Sequence, residues 1–446
     1  MTSAKNHRLA IVIPAVLVLL FLTYAALRWS GENAAFGYAR GISDTRAYLR
    51  IANEPVLSLN FLADNRPPVY PALLKILRGD FYTTAVFQTV FSIFAWGLLA
   101  LAVAGLFPLI LRPVAFGLIL LVSLTRHVAG WDVVILTESL SLSLMALFLA
   151  AWFWLLGGWS WYKALALSLT AFLWVFTRDT NAWVLLMIVA AMLLAVLFYG
   201  ASKKYLWISA IFVILFGLGT WNADIGNRWV YPFQNVLAQR ILPDEAAVEF
   251  FAACGMPVTP ELMSLAGGFA NSRSRAFYID PALEPYREWL RLDGKMCYVR
   301  WLLASPFRSL AQPWPDLEVL IAFRDVDRFF PQQYVPLLPW YLEGLLYPAE
   351  AIPVYLVLCT LAMLAALAAK MWKYNRAWIP VMLLCLLVYP HMFIVWHGDT
   401  VGSDRHAIMA SIQFVLGLWL MALLILERVA YRLQKAVSGG RQKEGQ

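Results

Sequence analysis

The feature that most limits this chain is a series of apolar runs of transmembrane or near-transmembrane length, with Asp, Glu, Lys and Arg kept out of their interiors. A helix needs about 20 apolar residues to cross the hydrocarbon, and the runs at 9–27, 85–106, 114–125, 139–156, 164–177, 182–199, 205–220, 351–369, 378–396 and 407–426 approach or meet that length. Those at 114–125 and 164–177 hold only 12 and 14 residues, and without them eight spans remain. In lipid every backbone N–H and C=O must be satisfied within the chain, so runs of this kind fold as helices. Only 14% of the 446 residues are charged, against about a quarter in soluble domains. The expected fold is an all-α polytopic membrane protein, a bundle of about ten transmembrane helices.

The net charge of +8 can signal nucleic acid, anionic lipid or topology, and the placement of the charges separates these. With the N-terminus inside, the inner pieces carry Lys5, Arg8, Arg112, Lys163, Lys203, Lys204, Lys370, Lys373, Arg376, Arg428, Arg432, Lys435, Arg441 and Lys443 against Glu427 and Glu444, a balance of +12. The outer pieces hold 21 basic and 25 acidic residues, a balance of −4. This asymmetry predicts cytoplasmic N- and C-termini. The basic tail, 427–446, is expected to contact anionic lipid, and nucleic acid is excluded as a partner. Lys5 and Arg8 also suit a signal peptide, but 19 apolar residues exceed its usual apolar region of about 7 to 15, and the run reads as a retained anchor.

The chain divides into an N-terminal transmembrane module, 1–220, with a first outer loop at 28–84, a large outer segment at 221–350, C-terminal spans at 351–426 and the tail. In the first loop Ser43-Asp44 caps an amphipathic stretch to Ala52, and Pro68 opens a second one whose Lys75 and Arg78 are expected to meet headgroups. The outer segment alternates amphipathic stretches with Pro, Gly and Asp breaks, as expected of a mainly helical periplasmic cap; Trp301, Trp314, Trp340 and Tyr341 suit the membrane interface. Cys254 and Cys297 fall in this segment and read equally well as a disulfide or as two buried thiols; the four cysteines show no zinc spacing.

Chemistry is expected at the outer ends of the spans. Asp44 suits a general base as well as an N-cap. Arg66, stiffened by Pro67 and Pro68, suits a phosphate as well as an ion pair with Asp64. Arg126 and Arg178 follow the two shortest runs, which would sink them below the surface beside an anion or a carboxylate. Tyr70, Asp132 and Glu138 are candidates for acceptor contact or a second acid. His391, His397, Asp399, Asp404, Arg405 and His406 crowd the junction before the last span. Four of them, His397, Asp399, Asp404 and His406, suit a metal, but Arg405 in their midst repels a cation, and Arg405 and His406 read better as phosphate contacts. The residues single out no particular cofactor, and a divalent cation stays open as one.

An acid shortly after the first span, Arg66-Pro67-Pro68-Val69-Tyr70-Pro71, Thr137-Glu138-Ser139 at the fourth span and Asp404-Arg405-His406 before the last together resemble the GT-C superfamily of polyprenyl-phosphate-sugar glycosyltransferases. That superfamily includes the aminoarabinose transferase of lipid A, protein O-mannosyltransferases and arabinofuranosyltransferases. The resemblance covers the membrane part and the first loop. It implies that Asp44 is the catalytic acid of that loop, although it stands alone where many members show paired acids, and that Arg66 and Arg405 approach the donor phosphate. It further implies transfer of a sugar from a polyprenyl-phosphate donor to a lipid, glycan or protein acceptor of the cell envelope, by inverting displacement on the periplasmic face. The alternatives are an O-antigen ligase or polymerase using a pyrophosphate-linked glycan, and a lipid or glycan transporter.

Overall fold

The computed structural model describes residues 2–199, 202–270 and 275–443. The side chains of Lys5, Arg8, Lys435, Arg441 and Lys443, and the whole of Glu444, lie outside what is described. The described chain is helical, its one β pairing being the isolated bridge between Arg40 and Val134. Helices stand over all ten apolar runs, but among the described residues seven segments are long and apolar enough to cross a membrane: Val12–Phe36, Phe81–Ala104, Thr137–Leu156, Lys204–Ile225, Ala349–Ala368, Trp378–Gly398 and Ile408–Leu433. An eighth is counted if the pair Leu109–Ser123 and Arg126–Val133, bent by 58°, acts as one span. Trp161–Val175 and Asp179–Leu194 are shorter apolar helices among the described residues.

The first helix departs from expectation. Its apolar run ends at Leu27, yet the helix continues to Phe36 and carries Arg28 and Glu32, both fully buried, into the packed bundle. The ninth run is also two helices, Trp378–Leu386 and Val388–Gly398. Pro390 accounts for that break, because it lacks an N–H and its ring clashes with the carbonyl four residues back.

The segment 221–350 divides in two. Residues 229–302 close around a core of their own, including Phe233, Leu237, Phe251, Tyr286, Trp289 and Trp301. Leu320, Ile321, Phe323, Phe330 and Tyr347 instead join the main core of the bundle. Cys254 and Cys297 are free thiols, and burial first, then the neighbouring Cys254, pushes the Cys297 thiol up.

Candidate functional site

The helix Ser43–Ala52 begins two residues earlier than an N-capping Asp44 would allow, and the residue at the cap position is Ile42. Thr45 supplies the local hydrogen bond instead, its Oγ1 accepting from the Ile42 N–H at 2.9 Å and donating to the Ile135 carbonyl at 2.8 Å. Asp44 thus sits in the first turn with its carboxylate free to leave the helix. Its Oδ1 accepts from Arg66 Nη2 at 2.9 Å and its Oδ2 from Arg405 Nη2 at 2.7 Å. Arg66 is available because Asp64 is taken by Arg50, at 2.9 and 3.0 Å.

Further side chains complete the cluster. Glu138, in the first turn of Thr137–Leu156 and 1% exposed, lies 3.5 Å from Arg405 and 3.3 Å from Arg178. Arg178 Nη2 donates to His406 Nδ1 at 2.8 Å, which assigns the His406 proton to Nε2. Glu138 Oε2 is buried with no hydrogen-bond partner among the described residues. With His406 neutral, three guanidiniums face two carboxylates and leave a surplus of one positive charge. A partly exposed cluster with that surplus and planar, two-pronged donors suits a phosphate carrying a single charge.

The electrostatics follow from this packing. Burial alone would push the Asp44 carboxyl up, but Arg405 and Arg66 overcome it and hold the group down at about 2. Burial, aided by Arg405 and Arg178, puts His406 well below its ordinary value. Burial would also lower Arg405 and Arg66, but their neighbours, foremost Glu138 for Arg405 and the Tyr48 phenol oxygen for Arg66, with Asp44 beside both, raise them.

The frame behind the cluster is built from backbone pairing. The Arg40 N–H donates to the Val133 carbonyl and the Ile135 N–H to the Arg40 carbonyl, both at 2.9 Å, so the segment leading to Asp44 is stitched to the one leading to Glu138. The Arg66 loop is fixed from the other side. Asn222 Nδ2 donates to the Leu62 carbonyl at 2.7 Å, Arg228 Nη1 to that of Asp64 at 3.1 Å, and Arg228 pairs with Asp179 at 2.9 Å. Gly226 is required there, since a Cβ would run into the Asp64 backbone.

The remaining candidates lie elsewhere. Tyr70 is wholly buried one layer behind, edge-on to Tyr48 at 5.2 Å and donating to Gln88 at 2.9 Å. Arg126 pairs with Asp327 at 2.6 Å, and its backbone N–H donates to Glu343 at 2.8 Å. Lys75 donates to the Ala52 and Glu54 carbonyls at 2.9 Å rather than extending toward headgroups. His397 is engaged by Tyr298 and Ser309, Asp404 by Arg328, and Asp399 by Asn235. Among the described residues no three His, Cys, Asp or Glu side chains converge on a metal position, so His397, Asp399, Asp404 and His406 do not form a ligand set.

Asp132 belongs to a second network, buried in the bundle. Arg28 meets Glu32 through Nε and Asp132 through Nη2 at 2.8 Å, and donates to the Ser123 carbonyl at 2.6 Å. Thr89 donates to Glu32 at 2.6 Å and Ser139 to Asp132 at 2.5 Å. The sequence signal for this network was the i, i+4 spacing of Arg28 and Glu32, which continues a helix past its apolar run. Comparisons with protein families, with characterised proteins and with solved structures found no match.

Proposed function

We propose that this is an integral-membrane glycosyltransferase that moves a sugar from a polyprenyl-phosphate donor to an envelope acceptor. The observation that carries the reading is the meeting of Asp44, Arg66 and Arg405, three residues far apart in sequence, around one carboxylate. In the proposed reaction the acceptor hydroxyl oxygen attacks the anomeric carbon and its proton passes to Asp44. The bond from that carbon to the phosphate oxygen breaks, and its electron pair leaves with polyprenyl phosphate, whose charge Arg66 and Arg405 meet. A phosphate leaves without a general acid, so one carboxylate suffices, and a single displacement inverts the anomeric centre. An Asp44 held near 2 is a weak base. A phosphate that draws the Arg66 and Arg405 donors to itself removes the contacts that hold the carboxyl down, so basicity rises as the donor seats.

The test uses purified protein in lipid nanodiscs with radiolabelled polyprenyl-phosphate sugars. Asp44→Asn is expected to lower transfer by about 10²- to 10⁴-fold, and Arg66→Ala by about 10²-fold or more. Near-normal transfer by a correctly folded Asp44→Asn protein would remove Asp44 as base. A pyrophosphate-linked glycan donor, the second reading, would draw Arg178 from Glu138 to meet its second phosphate. Turnover with that donor alone would move the assignment to a ligase. The proposed location is the bacterial inner membrane, with the cluster on the periplasmic face and both termini in the cytoplasm.

A further inference from the structure

Asp399 ends the helix Val388–Gly398 and is oriented by its own turn. Its Oδ1 accepts from the Thr400 and Val401 N–H groups at 2.7 and 3.0 Å and from Asn235 Nδ2 at 3.0 Å. Among the described residues nothing hydrogen-bonds its other oxygen, Oδ2. The Thr400 hydroxyl beside it is buried without a partner among those residues. Asn235 stands in the helical unit 229–302, one turn beyond Tyr231 on the helix Val230–Val236. Asp399 closes the helix Val388–Gly398 six residues before Arg405, which lies in the next helix, Ser403–His406, and donates to Asp44 at 2.7 Å. Asp399, with Tyr231 one turn from its partner Asn235, therefore borders the arginine cluster on the side of the 229–302 unit.

That unit is seated at this seam by contacts independent of the cluster. Arg240 lies over the Trp396 ring at 3.4 Å and donates to the Trp396 carbonyl, and Tyr298 donates to the His397 carbonyl at 2.9 Å. The polar groups at the seam are thus held in place before any ligand arrives. We infer that Tyr231, Asn235 and Asp399 form an acceptor subsite for a hydroxyl-rich molecule of the carbohydrate class, with Asp399 Oδ2 and the Thr400 hydroxyl as its hydrogen-bonding groups. Carbohydrate hydroxyls pair with a carboxylate oxygen whose partner oxygen is already fixed, and Tyr231 adds an amphipathic ring that contacts the apolar face of a sugar. The subsite rests on the glycosyltransferase reading, in which the arginine cluster takes the donor phosphate and the seam takes the acceptor.

Two probes separate the two sites in nanodiscs carrying the full chain, with binding to empty discs subtracted. Decyl phosphate reports the arginine cluster, and octyl glucoside, a sugar-headed amphiphile, reports the seam. Asp399→Asn keeps an oxygen for the turn, and Tyr231→Ala removes the ring; both are expected to weaken octyl glucoside by about tenfold or more while holding decyl phosphate within about twofold. Arg66→Ala is expected to do the reverse. Octyl glucoside binding that both seam variants leave unchanged, or no specific binding to the wild type, overturns the subsite. Absence of decyl phosphate binding to the wild type overturns the donor reading instead.

Discussion

The state of the Asp44 carboxylate sets both its stability role and its chemistry. Its folded pKa, held at about 2 by Arg405 and Arg66 against the upward push of burial, lies below the ordinary carboxylate value. Its contribution is therefore fully present above about pH 4 and is lost as pH falls through about 2, a difference on the order of 2 kcal/mol. Thermal unfolding of wild type and Asp44→Asn in nanodiscs is expected to show the wild-type advantage at pH 7 and its decline between about pH 4 and pH 2; a gap that does not change with pH would assign the effect to packing. The residue types at the cluster were legible in the sequence, because Asp44, Arg66, Glu138, Arg178, Arg405 and His406 each stand at a helix end. Which ends meet was not, since no local pattern pairs Asp44 with a residue 361 positions away. Asp399 drew notice beside two histidines as a metal candidate, but its orientation depends on a turn and on Asn235, neither of which spacing reveals.

At the level of elements, the first helix and the polar turn before Thr137–Leu156 are tied by Arg28, Glu32 and Asp132. The apolar run was readable to Leu27, but a run marks where lipid-facing residues stop and not where a helix stops. Arg28 and Glu32 face protein, so their charges carry no such boundary. Removing one member of a buried ion network leaves the others uncompensated. Asp132→Ala is accordingly expected to cost about 3–5 kcal/mol, measured as the loss of thermal stability. Replacing all three by apolar residues of similar size is expected to cost less than that single change, because no charge is then stranded in the core. Equal losses in the single and triple variants would show that the hydroxyl contacts of Thr89 and Ser139, and not the charge balance, hold the junction.

Across the whole molecule, the contact between Asp44 and Arg405 constrains topology more tightly than helix lengths do. Asp44 follows the first long helix and Arg405 precedes the last, so one passage separates each from its terminus. Because the two residues touch, both termini are expected on one side and the number of passages is expected to be even, which a count of seven does not meet. Glu138 starts the helix Thr137–Leu156, and Arg178 joins Trp161–Val175 to the helix Asp179–Tyr199. Both belong to the cluster, so the chain leaves it along Thr137–Leu156 and returns to it along the shorter Trp161–Val175. A 15-residue helix covers about 22 Å, less than the hydrocarbon thickness of about 30 Å, so the cluster end of Trp161–Val175 is expected to sit in a recess below the surface. These returns, taken along the chain, predict ten passages, with Gly158 and Lys203 on the side of the termini. Single cysteines at Ser3, Gly158, Lys203 and Arg432, in a chain whose own cysteines are replaced by serine, are expected to react with an impermeant thiol reagent only from the cytoplasmic side of oriented vesicles. A cysteine in place of Arg46, two residues beyond Asp44, should react only from the opposite side. Labelling of Lys203→Cys from the same side as Arg46→Cys would cancel the ten-passage topology while leaving the even count required by the Asp44–Arg405 contact.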